Sequence, residues 1–211
     1  EERSCRERVY ATNAWWKQQV TTQLLQLSIP TTWNDNNEFE IWSAQAQVHG
    51  FGTPRAAMEA RPLQTLLMVQ ASHAAQTAYA PQERPFLVSR SGAAGMQRYV
   101  QTWSGDNYTA WDTLKYNIRM GLGLAMSGVS NTGHDIGGFS GPAPGPELLL
   151  RWVQHGIFLP RFSIHSWNDD QTVNEPWMHP SVTPQIRTLV HFRYRLMPYL
   201  YDLVWQYHRS F

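Results

Sequence analysis

Two spacings of apolar residues divide this chain. Repeats of three and four positions, the signature of one helix face, predict helices over residues 13–27, 54–79, 114–126, 147–157 and 184–208. The first carries Trp16, Val20, Leu24 and Leu27 on one stripe, with Asn13 placed as an N-cap. The second carries Leu63, Leu67, Ala71, Ala74 and Ala78, and Pro62 is expected to kink or restart it. Pro198 is expected to bend the last helix, and Gly128 ends the third. Short runs of apolar and β-branched residues predict strands at 29–33, 86–89, 99–103, 130–134 and 161–164. A polar loop fills the stretch after the first strand as far as Pro54. Strand thus alternates with helix about five times, which argues for an α/β chain with a parallel sheet and crossover helices. An open sheet and a (β/α)₈ barrel both fit that order.

Ionisable residues gather where the strands end. Asp35 and Glu38, Arg90, Asp106, Asp135 and His165 each follow one of the five strands. One rim with that many charges is how the active face of a barrel looks. The segment Arg98-Tyr99-Val100-Gln101-Thr102-Trp103-Ser104-Gly105-Asp106-Asn107 shows the arrangement most clearly, with a strand, a Ser-Gly turn and then an acid. Asp106 reads either as the N-cap of the following helix or as a chemical group. Beside it, Arg98 can hold a charge, Trp103 can stack on a ligand, and Gly105 lets the backbone approach closely. No phosphate-binding glycine signature is present. Gly92 to Gly95 lacks both the dinucleotide pattern and the Lys of a P-loop, and the glycines at 133, 137 and 138 have no Lys either.

Composition narrows the partners. A chain of 211 residues is long enough for a sizeable core. Its net charge of +1 offers no footprint for nucleic acid or an acidic membrane. No run of about 18 apolar residues predicts a membrane span, and no signal-peptide pattern follows Glu1-Glu2-Arg3. The chain does not open on Met, which suggests an excerpt from a longer one. A single cysteine, Cys5, forms no internal disulfide and leaves the compartment open. The 10 tryptophans, interspersed with Asp, His and Arg, suit sugar binding, because an indole face covers the apolar face of a pyranose. Trp15, Trp16, Trp111 and Trp152 fall on helices and read as core. Trp33 and Trp103 fall at strand ends and read as sugar platforms.

The order of motifs resembles glycoside hydrolase family 31, the retaining α-glucosidases and their relatives. The matching stretches are Trp33-Asn34-Asp35-Asn36-Asn37-Glu38, Arg90-Ser91-Gly92, Arg98-Tyr99, Trp103-Ser104-Gly105-Asp106-Asn107, Gly133-His134-Asp135-Ile136-Gly137-Gly138-Phe139, His165-Ser166, Glu175-Pro176-Trp177, and Arg193-Tyr194 with Pro198-Tyr199-Leu200. The resemblance implies Asp35 as nucleophile and Asp106 as general acid/base. It implies Arg98, Asp135 and His165 as contacts to the hydroxyls of the sugar being cleaved. It implies an α-linked glycoside or oligosaccharide as substrate, no cofactor and no metal. It also implies a partial (β/α)₈ TIM barrel, roughly strands four to eight. Strands one to three, a further active-site Asp and flanking β-domains would lie outside these residues, since a full barrel takes about 250. Asn36 stands where many members of the family carry Met.

The chemistry asks two similar carboxyls to differ, one ionised and attacking, the other protonated and donating. The amides of Asn34, Asn36 and Asn37 are placed to hydrogen-bond Asp35. Trp103 and Asp35 itself are the expected neighbours of Asp106. Arg98 is assigned to the sugar or to Asp135. Glu38, the rival nucleophile, is expected to pin its loop or Arg90, and His134 to be a structural hydrogen-bonder. A non-catalytic remnant that binds sugar or a partner is the alternative from a different class.

Overall fold

The computed structural model describes residues 5–41, 43–51 and 53–210. The chain divides into two compact units, Glu1–Gln101 and Thr102–Phe211.

In the first unit, helix α1 (Cys5–Gln23) leads through a 3₁₀ turn, Leu25–Leu27, to strand β1 (Thr32–Asn34). A hairpin of β2 (Gln47–Phe51) and β3 (Thr53–Ala56) precedes helix α2 (Ala57–Tyr79), and β4 (Leu87–Ser89) follows. β1 and β4 pair in parallel, with Trp33 opposite Val88. Val20, Leu25 and Ala75 form one core cluster, and Val69, Leu87, Met96 and Val100 a second.

Three sequence expectations shift here, each for a physical reason. α1 starts well before Asn13, because nothing between Cys5 and Gln23 breaks a helix. Its predicted stripe overruns the end, since the 3₁₀ turn rotates the chain so that Leu25 is buried and Leu27 is exposed. On α2 the buried face is not the Leu63–Leu67 stripe but one containing Thr65, Ser72 and Gln76. Ser72 and Gln76 face polar positions of the strand, and Thr65 Oγ1 donates to Asn37 O at 3.0 Å. Gln76 Nε2 donates to Thr32 Oγ1 at 2.7 Å, and Ser72 Oγ donates to Asn34 Oδ1 at 3.2 Å. Four residues of helix rise about 6 Å, nearly the length of two strand residues, so the two pairs stay in step. The hairpin occupies part of what the sequence suggested was loop. Pro62 lies within α2, which continues through it.

The boundary falls within β5 (Gln101–Trp103), and the second unit continues with α3 (Trp111–Met126), β6 (Thr132–Asp135), α4 (Pro146–Gly156), β7 (Arg161–Ser163) and α5 (Thr183–Ser210). β5 was expected from Tyr99. Instead Met96–Arg98 form a 3₁₀ turn entered through Gly95 at φ 102°, and the strand begins two residues later. β6 pairs in parallel with both β5 and β7. The five parallel strands with their helices are part of a TIM barrel, as the sequence suggested. Leu114, Ile136, Leu148, Leu149, Trp152, Val153, Ile157 and Ile186 fill the core between sheet and helices. Arg193, buried on α5, donates to the carbonyls of Ile157, Leu159 and Pro160, which satisfies the turn from α4 into β7. Pro198 lies within α5, which continues through it. Trp152 is fully buried as expected, and Trp16 is half-buried, its Nε1 donating to Ser72. Trp15 and Trp111, read as core, are exposed on their helices.

Candidate active site

Asp35 is the first residue beyond β1, exposed at the strand's C-terminal end. Its Oδ1 accepts the backbone N–H of Asn36 at 2.9 Å and faces Arg90 Nη1 at 3.2 Å. Arg90 is itself held. Its Nε and Nη2 donate to the two oxygens of Glu38 at 2.7 and 2.9 Å, and Nη2 also donates to Asn36 Oδ1. Ser91 Oγ donates to Glu38 Oε1 at 2.8 Å. The paired guanidinium, helped by Ser91, pulls the Glu38 carboxyl down to about 2. Glu38 therefore pins Arg90, as expected, and its two oxygens are occupied. The expectation that three asparagine amides hold Asp35 is corrected. Asn34 binds Ser72, Asn36 binds Arg90, and buried Asn37 spans to Ser89 Oγ and the Ser91 N–H. Those amides fix the loop, and an arginine and one backbone N–H meet the carboxylate.

Asp106 follows β5 by three residues, and its side chain is exposed. The capping alternative does not hold, because the N-cap of α3 is Ala110. Gly105, at φ 75°, supplies the left-handed backbone that turns the chain. The turn lies against the loop after β6. Asn107 O accepts the N–H of Phe139 at 2.7 Å, and Thr109 N–H reaches Ser140 O at 2.8 Å. A Cβ on Gly138 would stand 2.7 Å from Thr109 Cα, so only glycine permits this approach. His134 is fully buried, and its Nδ1 lies 2.8 Å from Ser104 Oγ, a structural hydrogen bond as expected.

Asp135, the last residue of β6, is fully buried, with Arg161 Nη2 at 3.9 Å from its Oδ1. The Arg161 guanidinium also sits 5.6 Å from the centre of the Trp103 ring. Arg161 was missed as a site residue. The only signal was an arginine opening an otherwise apolar strand. Trp103 is 5% exposed and carries Arg161, whereas Trp33 is 43% exposed on β1. Arg98 is exposed in its 3₁₀ turn, its guanidinium 5.7 Å over the ring of Tyr99. His165 is exposed beyond β7, its ring 5.2 Å from that of Phe139. The next loop is tied to the β6 loop by Trp167 N–H to Phe139 O and by Asn174 Nδ2 to Gly138 O. Tyr108 and Trp167, not singled out from sequence, expose their rings on these joined loops.

The domain described as "Glycosyl hydrolases family 31 TIM-barrel domain" matches residues 9–203. The chain belongs to glycoside hydrolase family 31. Neutral alpha-glucosidase AB of Homo sapiens is 36% identical over 207 residues, which is 93% of this chain and 22% of that protein. The crystal structure of an ER glucosidase II heterodimer, catalytic subunit with the binding domain of its regulatory subunit, matches with TM-score 0.82 and 29% identity. That match covers 95% of this chain and 22% of the other. A Glc1Man2-bound glucosidase II alpha subunit matches with TM-score 0.76 and 27% identity, over the same shares of the two chains. This family 31 segment therefore spans about a fifth of the length of such relatives.

Proposed function

We propose that this segment supplies both catalytic carboxyls of a retaining α-glucosidase and corresponds to roughly strands four to eight of its barrel. The observation that carries the reading is the holding of Asp35. Both of its contacts fall on Oδ1, one from Arg90 and one from the Asn36 N–H, so Oδ2 is left to attack. In the first step Oδ2 bonds to the anomeric carbon as the glycosidic C–O bond breaks, while Asp106 gives its proton to the leaving oxygen. Asp106 then takes a proton from water, which attacks the anomeric carbon and expels Asp35, restoring both groups. Asp135, made rigid by burial and by Arg161, and His165 and Arg98 bind hydroxyls of the sugar being cleaved. Trp33 offers the open aromatic face. The substrate is an α-linked glucoside or oligosaccharide, in keeping with the α-glucosidases among its relatives.

The test is made in the intact protein. A panel of aryl α-glycosides identifies the sugar, separating glucoside from xyloside or galactoside, and product analysis separates hydrolysis from transfer. Asp35→Ala should lose turnover on every substrate and regain part of it with azide, which replaces the nucleophile. A crystal structure should place the Asp35 and Asp106 carboxyls about 5–5.5 Å apart, the separation retention requires. Unchanged turnover in Asp35→Ala, or a separation beyond about 10 Å, would sink the mechanism and favour a sugar-binding remnant.

A further inference from the structure

A set of hydrogen bonds converges on the neighbours of Asp106. Ser104 and Asn107 flank the turn. Ser104 Oγ donates to Asn107 Oδ1, and Asn107 Nδ2 returns a bond to Ser104 O at 3.2 Å. Two buried side chains reach this pair from different elements. Asn117 Nδ2, from α3, donates to Asn107 Oδ1 at 2.9 Å, and His134 Nδ1, from β6, meets Ser104 Oγ at 2.8 Å. Both Asn117 and His134 are fully buried.

Proton counting fixes the direction of the chain. Asn107 Oδ1 only accepts, so the single Ser104 hydroxyl proton is directed to it. Ser104 Oγ must then accept from His134, which places the ring proton on Nδ1. Burial, with His155 stacked at 5.8 Å, pushes His134 down to about 4, so at neutral pH the ring is the neutral Nδ1–H form. Its Nε2 faces α3 at Gly121, where an added Cβ would lie 3.4 Å away. The backbone carbonyl of Asn117 also lies against the ring and works the other way, favouring its protonated form. The backbone closes the frame, since Phe139 and Ser140 both donate their N–H to Asn107 O.

Resting on the acid/base assignment above, we propose that His134, Ser104, Asn107 and Asn117 are positioning residues for Asp106, a buried network that aims its carboxyl at the leaving oxygen. Of these, only Ser104 and Asn107 adjoin the turn, and none is a group that reacts. A positioning role makes a particular kinetic prediction. Misaiming a general acid harms departure of a poor leaving group and spares one that leaves unassisted.

The test uses the intact protein with two substrates, an unactivated disaccharide or alkyl α-glucoside and an aryl α-glucoside with a strongly acidic phenol. Ser104→Ala and His134→Leu should lose about 10- to 100-fold in kcat on the unactivated substrate, the scale of a misplacement near 1 Å. Loss on the activated one should stay within about 3-fold. Ser104→Thr, which keeps the hydroxyl, and His134→Asn, which keeps a donor near the Nδ1 position, should recover most of the lost rate. Equal losses on the two substrates, or no loss in Ser104→Ala, would overturn the network. If His134→Leu does not fold, the Ser104 pair decides alone. Asp106→Ala is measured alongside. If it shows the selective loss and Ser104→Ala does not, the acid assignment stands and the network falls. If Asp106→Ala loses equally on both substrates, the assignment itself fails, and the network with it.

Discussion

Replacing Glu38 by Gln tests whether the Arg90 clamp holds the loop that presents Asp35. Glu38 in the folded chain sits at about 2, against 4.5 for a free side chain. Each unit of such a difference is worth about 1.4 kcal/mol, which sets a ceiling near 3 kcal/mol. The carboxylate is 28% exposed, so solvent screening lowers the expectation to about 1–2 kcal/mol. Gln keeps the shape and one acceptor but turns an N–H toward Arg90 Nη2 and discards the charge. In the intact protein, the barrel should then melt about 2–8 °C lower at neutral pH. The sign of the pH dependence follows from the folded carboxyl being the stronger acid. Its stabilisation is complete above about 4.5 and fades as pH falls toward 2, because the unfolded chain takes up the proton first. Thermal melts of wild type and Glu38→Gln should thus differ most near pH 7 and converge on acidification. A difference that is the same at about pH 7 and about pH 2.5 would refute the ionic clamp and leave only a shape effect.

Gly133→Ala should destabilise strongly, because its Cβ would stand 2.2 Å from the Arg161 carbonyl oxygen on the paired strand, where only backbone can yield. Gly156→Ala, whose nearest obstacle is the tip of Ile136 at 2.3 Å, should be milder, and equal melting losses would contradict this ranking. Residues 1–211 expressed alone should aggregate and show no turnover, since α5 exposes Met197, Leu203, Val204 and Trp205 among its tyrosines. A monomeric preparation with a cooperative melt and measurable activity would show that expectation wrong.

Much of the fold could be read because strand and helix spacings differ, and because each strand end carries an ionisable residue. Glu38 was legible as a clamp and His134 as a structural histidine from their places beside Asp35 and Asp135. Two of the failures share a cause, namely polar burial. The buried face of α2 runs through Ser72 and Gln76, which satisfy Thr32 and Asn34, and a hydrophobicity pattern cannot see a polar group that has found its partner. Arg161 was overlooked for the same reason, being charged yet 6% exposed beneath the expectations for an apolar strand. How far Trp103 is covered was not legible either, since position at a strand end does not say which of its faces is packed.

The β2–β3 hairpin bears on how such a chain can change over time. It is spliced between the loop bearing Asp35 and the start of α2, and its root is fastened by the Ala57 N–H bonding Ala46 O at 2.9 Å. Its two strands satisfy one another, with Phe51 opposite Thr53 near the tip. A graft that closes on itself can grow or shrink at little cost, about 0.6 kcal/mol for each doubling of a flexible loop. Insertions and deletions at the tip therefore leave β1 and α2 where they are. The groups that hold Asp35, the Arg90 guanidinium and the Asn36 N–H, lie outside the hairpin and stay untouched.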